Sequence, residues 1–219
     1  ALGQLIKTTD SLGREIASEY NAFGKVVETR IGDVVTKFSY DDRNQLVETI
    51  RDLNGLNQTT TSHIDAFGRV FESFDPNLNK TSFGYDKLGN LVSTTNSKNI
   101  STSQTYDAFG RVKTQTDANL KTTVFDYDDE NRTVTITTPE DVQTKTISNE
   151  FGEQVQVIDG EGNVTTFDYD LDGNLTHTTD ADGHVTRAFF DKAGREFLII
   201  DANDNVILTT YDGLSRVQT

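Results

Sequence analysis

Tyr169-Asp170-Leu171-Asp172-Gly173-Asn174-Leu175 decides the fold, because its pattern recurs along the chain. Gly68, Gly89, Gly110, Asn131, Gly152, Gly173, Gly194 and Ser215 follow one another every 21 residues without a break. An aromatic–acid pair precedes most of them: Tyr85-Asp86, Tyr106-Asp107, Tyr127-Asp128, Tyr169-Asp170, Phe190-Asp191 and Tyr211-Asp212. Ile64-Asp65 and Ser148-Asn149 are degenerate members. A second marker keeps the same step at Asp75, Asn96, Asp117, Asp159, Asp180 and Asp201, and Thr138 breaks it ahead of Pro139. Self-similarity at a fixed period defines a repeat architecture.

Toward the N-terminus the rhythm loosens. Tyr20-Asn21 with Gly24 and Tyr40-Asp41 with Asn44 continue it irregularly, and Asp10-Ser11-Leu12-Gly13 resembles a further signature. The interval from Asn44 to Gly68 is 24 residues, so about three are inserted, which we place around Asn54-Gly55. No linker-like stretch separates these parts. The expectation is one array over residues 1–219, irregular from about 10 to 67 and regular from 68 to 217.

Each unit reads as a two-stranded hairpin with two turns. Gln154 to Ile158 alternates as a half-buried strand does, Asp159-Gly160-Glu161-Gly162-Asn163 supplies turn residues, and Val164 to Tyr169 returns. Strands of six or seven residues are expected, at a rise of roughly 3.3 Å per residue. Phe38/Tyr40, Phe83/Tyr85, Phe125/Tyr127 and Phe167/Tyr169 are two apart and so share a face. Stacked units should bring such rings together as cross-strand pairs. The Tyr hydroxyl can reach a polar partner, the following Asp can accept turn N–H groups, and the Gly can take a left-handed conformation. The fold class is therefore all-β, a continuous and curving sheet of repeated antiparallel hairpins.

Composition agrees and excludes several functions. The chain has 219 residues, no Cys and no Met, a hydrophobic content of 34%, 13 Phe and 7 Tyr. That apolar content is thin for a two-layer core, while the aromatics and only 2 Pro sit badly with disorder. Without Cys there are no disulfides or thiolate-held metals. A net charge of −15 argues against a nucleic-acid partner. No apolar run approaches the ~20 residues of a membrane span. The missing Met fits a processed product or a piece of a larger protein.

Tyr106-Asp107-Ala108-Phe109-Gly110-Arg111-Val112 and Tyr169-Asp170-Leu171-Asp172-Gly173-Asn174-Leu175 resemble the YD repeat of RHS (rearrangement hotspot) proteins, bacterial ABC toxin B and C subunits, and teneurins. Asp75-Pro76-Asn77-Leu78-Asn79-Lys80-Thr81 and Asp180-Ala181-Asp182-Gly183-His184-Val185-Thr186 resemble its other half. The resemblance implies a strip of hairpins spiralling into a hollow shell, enclosing a toxin in bacterial members and serving adhesion in teneurins. It also implies secretion or cell-surface exposure. The family's shell-closing Asp-Pro-x-Gly-Leu motif is not found in this sequence, so closure, cargo and proteolysis are not carried over.

Reaction chemistry finds little footing. Asp170-x-Asp172-Gly173-Asn174, Asp180-x-Asp182-Gly183 and Asp201-x-Asn203-Asp204-Asn205 offer oxygen ligands for calcium, but the same spacing serves an ordinary turn, which is our reading. His63, His177 and His184 lack partners at ligand or triad spacing and read as surface residues. Gly160-Glu161-Gly162 precedes a strand and makes no phosphate cradle. Asn131-Arg132-Thr133 and Asn174-Leu175-Thr176 are glycosylation sequons only in a secreted eukaryotic host.

The sequence thus points to a non-enzymatic structural segment without cofactor or metal. Its expected partners are the remainder of its own shell or neighbouring repeats, and a polypeptide cargo such as a toxin domain. Open sheet edges should favour self-association. The alternative is a cell-surface adhesin that binds carbohydrate or protein.

Overall fold

A computed structural model of the chain describes residues 4, 6–9, 11, 13–53, 55–213 and 215–218. Asp10 and Leu12 of the first signature, Asn54 of the expected insertion and Leu214 of the last signature lie outside the described residues. The chain falls into two compact units, Ala1–Gly110 with Thr116–Leu120, and Arg111–Gln115 with Lys121–Thr219.

In the first unit the strands are β1 (Lys7–Thr9), β2 (Glu15–Tyr20), β3 (Val26–Ile31), β4 (Val34–Tyr40), β5 (Leu46–Leu53), β6 (Leu56–Ile64), β7 (Val70–Phe74), β8 (Lys80–Tyr85), β9 (Leu91–Thr95) and β10 (Ser101–Tyr106). Each pairs antiparallel with the next, from β1 through β10. After β11 (Val112–Thr116), the second unit holds β12 (Thr122–Asp128), β13 (Thr133–Thr137), β14 (Gln143–Ser148), β15 (Gln154–Ile158), β16 (Val164–Tyr169), β17 (Leu175–Thr179), β18 (Val185–Phe190), β19 (Glu196–Ile200) and β20 (Val206–Leu208). These too pair in sequence order, β12 through β20. β21 (Thr210–Tyr211) and β22 (Val217–Gln218) close a last short hairpin. The class is all-β, as expected.

No described residue is fully buried. Each unit is a meander whose described side chains are partly covered at most, consistent with the low apolar content. In the second unit Val134 lies opposite Thr146, and Thr146 opposite Val157, on the face that carries Phe125 and Tyr127. In the described ladders these Phe residues face no ring directly across, contrary to the stacking expectation. Phe83 lies opposite Thr94, Phe125 opposite Ile136 and Phe167 opposite Thr178. The reason is alternation: the aromatic signature sits on every second strand, and β-branched residues fill the strand between. These still suit a pleated surface.

Two local departures are informative. Outgoing strands in the regular part run five residues, as in Val70–Phe74, and return strands mostly six, as in Lys80–Tyr85. The insertion near Asn54-Gly55 lengthens β5 and β6 to eight and nine residues, with Leu53 pairing Leu56. It adds ladder rungs, and the connection shortens to two residues where the regular hairpins use five.

Candidate functional site

The aromatic–acid signature builds one turn again and again. At Asp86 the backbone N–H donates to the Asn90 carbonyl at 3.0 Å, and Gly89 N–H donates back to the Asp86 carbonyl at 3.2 Å. The Asp86 carboxylate then accepts the N–H groups of Leu88 and Asn90, both at 2.9 Å, and the Asn90 side-chain amide, also at 2.9 Å. Such Asx turns let a side chain replace backbone acceptors that a tight bend leaves short. Gly89 sits at φ 93°, in the region closed to most L residues. Asp170 repeats the arrangement with Asp172, Asn174 and Gly173. Asp191 does so with Ala193 and Arg195, and Gly194 donates to its carbonyl. Phe109 N–H donates to Asp107 at 2.8 Å, and Arg216 N–H to Asp212 at 2.9 Å.

The opposite ends of the hairpins use the same device. Asp75, Asp159, Asp180 and Asp201 each accept N–H groups two and four residues on. Thr138 does not interrupt this series. Its hydroxyl accepts the N–H groups of Glu140 and Val142 at 3.3 Å, standing in for a carboxylate. Degenerate Asn149 likewise accepts from Phe151 and Glu153.

One turn differs. A bulge precedes the signature position at Gly84/Tyr85, Asp168/Tyr169 and Phe189/Phe190, but the β12–β13 ladder runs regularly through Tyr127–Val134 and Asp128–Thr133. The left-handed residue there is Arg132 at φ 51°. Asn131, in register with the glycines by sequence, instead donates its N–H and amide to Asp128. Skipping the bulge moves the turn by one residue.

The tyrosines lock each turn to the strand before it. Tyr85 hydroxyl donates to the Val70 carbonyl at 2.7 Å, Tyr106 to Leu91 at 2.8 Å, Tyr127 to Val112 at 3.0 Å, Tyr169 to Gln154 at 2.9 Å and Tyr211 to Glu196 at 2.6 Å. Each acceptor begins an outgoing strand, and at Val70, Leu91, Gln154 and Glu196 a bulge in the preceding strand interrupts regular pairing there. The ring is half-buried while its hydroxyl is satisfied. Phe190 has no hydroxyl and provides packing alone.

An arginine partner went unassigned in the sequence reading. Arg69 pairs with Asp65 at 2.7 Å and lies 4.5 Å over the ring of Tyr85, one repeat on. Arg111 lies 4.2 Å over Tyr127 and pairs with Asp129 at 2.6 Å, and Arg195 lies 4.6 Å over Tyr211. The available signal was the Gly-Arg step, 16 residues ahead of the next Tyr.

The acids of these turns hold their protons weakly. Side-chain hydrogen bonds from Asn90, Asn174 and Asn205 are the largest causes lowering Asp86, Asp170 and Asp201 below the usual carboxylate range. For Asp65 the main cause is the backbone N–H of Arg69.

Other candidate chemistry disperses over the surface. Asp180, Asp182 and His184 bring ligand atoms within 4.8 Å of one another, all exposed. Both Asp180 oxygens already serve the turn, one taking N–H groups and the other His184 Nδ1 at 3.1 Å. That is the job Asn174 and Asn205 do in their own turns. His63 pairs with Glu72 at 3.1 Å, beside Lys80, and His177 contacts the Thr176 hydroxyl at 3.1 Å. The sequon amides of Asn131 and Asn174 are engaged with Asp128 and Asp170. An open groove of ≈ 390 Å³ on the first unit is lined by Glu28, Arg30, Lys37 and Ile50, with Arg30 paired to Glu28 at 3.1 Å. No helix among the described residues is long and apolar enough to cross a membrane.

Comparison with known proteins follows the same lines. Residues 106–143 and 149–185 match the family model described as RHS Repeat. Among curated proteins none matches. Among solved structures, a crystal structure of TcdB2-TccC3-TEV aligns with 95% of this chain at TM-score 0.52 and 14% identity, the chain covering 16% of that one. A structure of the Photorhabdus luminescens Tc holotoxin pore aligns over 94% at TM-score 0.41 and 13% identity, again over 16% of its chain. At these identities the first alignment establishes shared fold, and the chain spans about a sixth of the length of the structures it matches.

Proposed function

We propose that this array of RHS repeats, a member of the YD-repeat family, is a section of container wall that encloses or presents another polypeptide. The observation that carries the proposal is the hairpin meander with no fully buried residue among those described, locked turn by turn through Tyr hydroxyls and Asx bends. Such a lamina is extended by repetition, so it spans area with few apolar residues. It offers two wetted faces and shallow grooves in place of a closed reaction site. A structural role with neighbouring repeats as partners fits such a lamina, and the family resemblance supports a secreted or cell-surface setting. The net charge of −15 keeps such a wall soluble.

Protease protection in the intact parent protein tests this role. A polypeptide encoded beyond the array should resist protease until denaturant opens the wall. Equal digestion before and after, or a parent gene with no further repeats or domain, would overturn the proposal. The adhesin reading draws support from the exposed Phe side chains at the turns, and saturable hits on a glycan array would place it first.

A further inference from the structure

Strand register sorts charge onto one face of each unit. In the first unit Glu19 lies opposite Glu28 and Glu28 opposite Lys37, while Glu48 connects through Thr61 and Phe74 to Lys80. Followed along the ladders, every described charged side chain on β1–β10 except Arg51 falls on this face. The reverse face has Phe83 opposite Thr94 and Thr94 opposite Thr102. The second unit divides the same way. Asp126 connects through Thr135 to Lys145, and Asp168 through His177 to Arg187. The reverse face there has Phe167 opposite Thr178 and Thr178 opposite Thr186, with Glu196 its one described charge on β12–β20.

Burial does not call for this division. Thr94 and Thr95 belong to opposite faces and are both half-buried, as are Thr178 and Thr179. A strand wetted on both sides can carry charge on both, so a further influence keeps ions off one of them. Charge depletion with rings retained is the composition of a covered interface, where an unpaired ion would be stripped of its water.

Neighbouring repeats do not provide that cover, because they join in the plane of the sheet through backbone pairing and leave its faces clear. A second sheet packed on top would need interlocking aliphatic side chains. In the first unit the rungs of this face are instead mostly hydroxyls, such as Ser62–Ser73–Thr81 and Thr49–Thr60. Hydroxyls beside scattered rings offer a polypeptide both hydrogen bonds and apolar contact, and set no condition on the sign of its charge. We propose that the uncharged face lines the wall against the enclosed polypeptide, and that the charged face meets water. This orientation rests on the container reading and adds to it the chemistry of the lining.

Cysteine labelling of the intact parent protein tests the orientation, since this chain has no Cys of its own. Any cysteine elsewhere in the parent is first replaced by Ser. Thr94→Cys and Thr178→Cys lie on the proposed lining, and Thr95→Cys and Thr179→Cys are their neighbours on the charged face. Relative to their rates in urea, the lining cysteines should react at least about tenfold more slowly than these neighbours with a bulky polyethylene-glycol maleimide. Photo-reactive benzoylphenylalanine introduced at Thr94 or Thr178 should crosslink to the polypeptide encoded beyond the array, and at Thr95 or Thr179 it should not. Equal labelling, the reverse order, or crosslinks from the charged face would overturn the orientation. The container reading fails separately: protease protection with equal labelling removes the orientation alone, whereas lost protection removes the container and its occupant together.

Discussion

Tyr85 hydroxyl donates to the Val70 carbonyl at 2.7 Å, joining the end of one strand to the start of the strand before it. The acceptor lies opposite Ile64 at the His63/Ile64 bulge, where the β6–β7 ladder breaks step. A carbonyl there needs a partner from outside the regular pairing, and the phenol provides it. Equivalent bonds from Tyr106, Tyr127, Tyr169 and Tyr211 make this the common fastening of the array.

Tyr85→Phe keeps the ring and removes the bond. The expected cost is about 1 kcal/mol in urea unfolding. Because repeats couple to nearest neighbours, faster amide exchange should be confined to β7, β8 and β9. Exchange rising evenly over all strands would contradict a local fastening.

Asp86→Ala should destabilise more than Asp86→Asn. An amide oxygen can still accept the Leu88 and Asn90 N–H groups, as Asn21, Asn96 and Asn149 do in their own turns. Thermal melts of the two variants check the order, and equal losses would remove the Asx bond as the cause.

Acid should loosen the array through these carboxylates. Their folded values lie below the ordinary 3.8, with Asp86, Asp170 and Asp201 held down first by Asn amides. A lowered folded pKa contributes stability that is present above the unfolded value and lost as pH falls through the folded one. Urea midpoints should therefore decline from about pH 4 downward. Triple replacement of these acids by Asn should flatten that decline, and an unchanged slope would locate the acid sensitivity elsewhere.

Gly110→Ala isolates backbone strain, since no atom lies within 4 Å of the added methyl group and φ is 79°. The expected loss is roughly 1–2 kcal/mol. Gly110→Asn should cost less, because Asn44 and Asn99 already hold φ of 63° and 58° in related turns. Equal losses for Ala and Asn would argue against left-handed geometry as the source.

Arg69→Lys keeps the charge near Asp65 but loses the planar stack 4.5 Å over Tyr85. A double-mutant cycle between Arg69 and Tyr85 should return a coupling of about 0.5–1 kcal/mol. A coupling near zero would leave the stack without energetic weight.

The sequence by itself determined the all-β class, the hairpin unit and both turn families, because each rests on local chemistry. Asp and Gly at fixed offsets specify a bend wherever they fall, and alternation fixes which side chains share a face. Only the tertiary structure decided what depends on register between strands. It showed the phenol reaching a carbonyl 15 residues back, Arg over the next repeat's ring, and β-branched residues between the aromatics. It also showed Thr138 serving as an acceptor, and the turn at Asn131 displaced by one residue for want of a bulge. A bulge shifts pairing by one residue without changing the repeat length. The period therefore carries no trace of it, and the contacts it sets appear only once the strands are laid side by side.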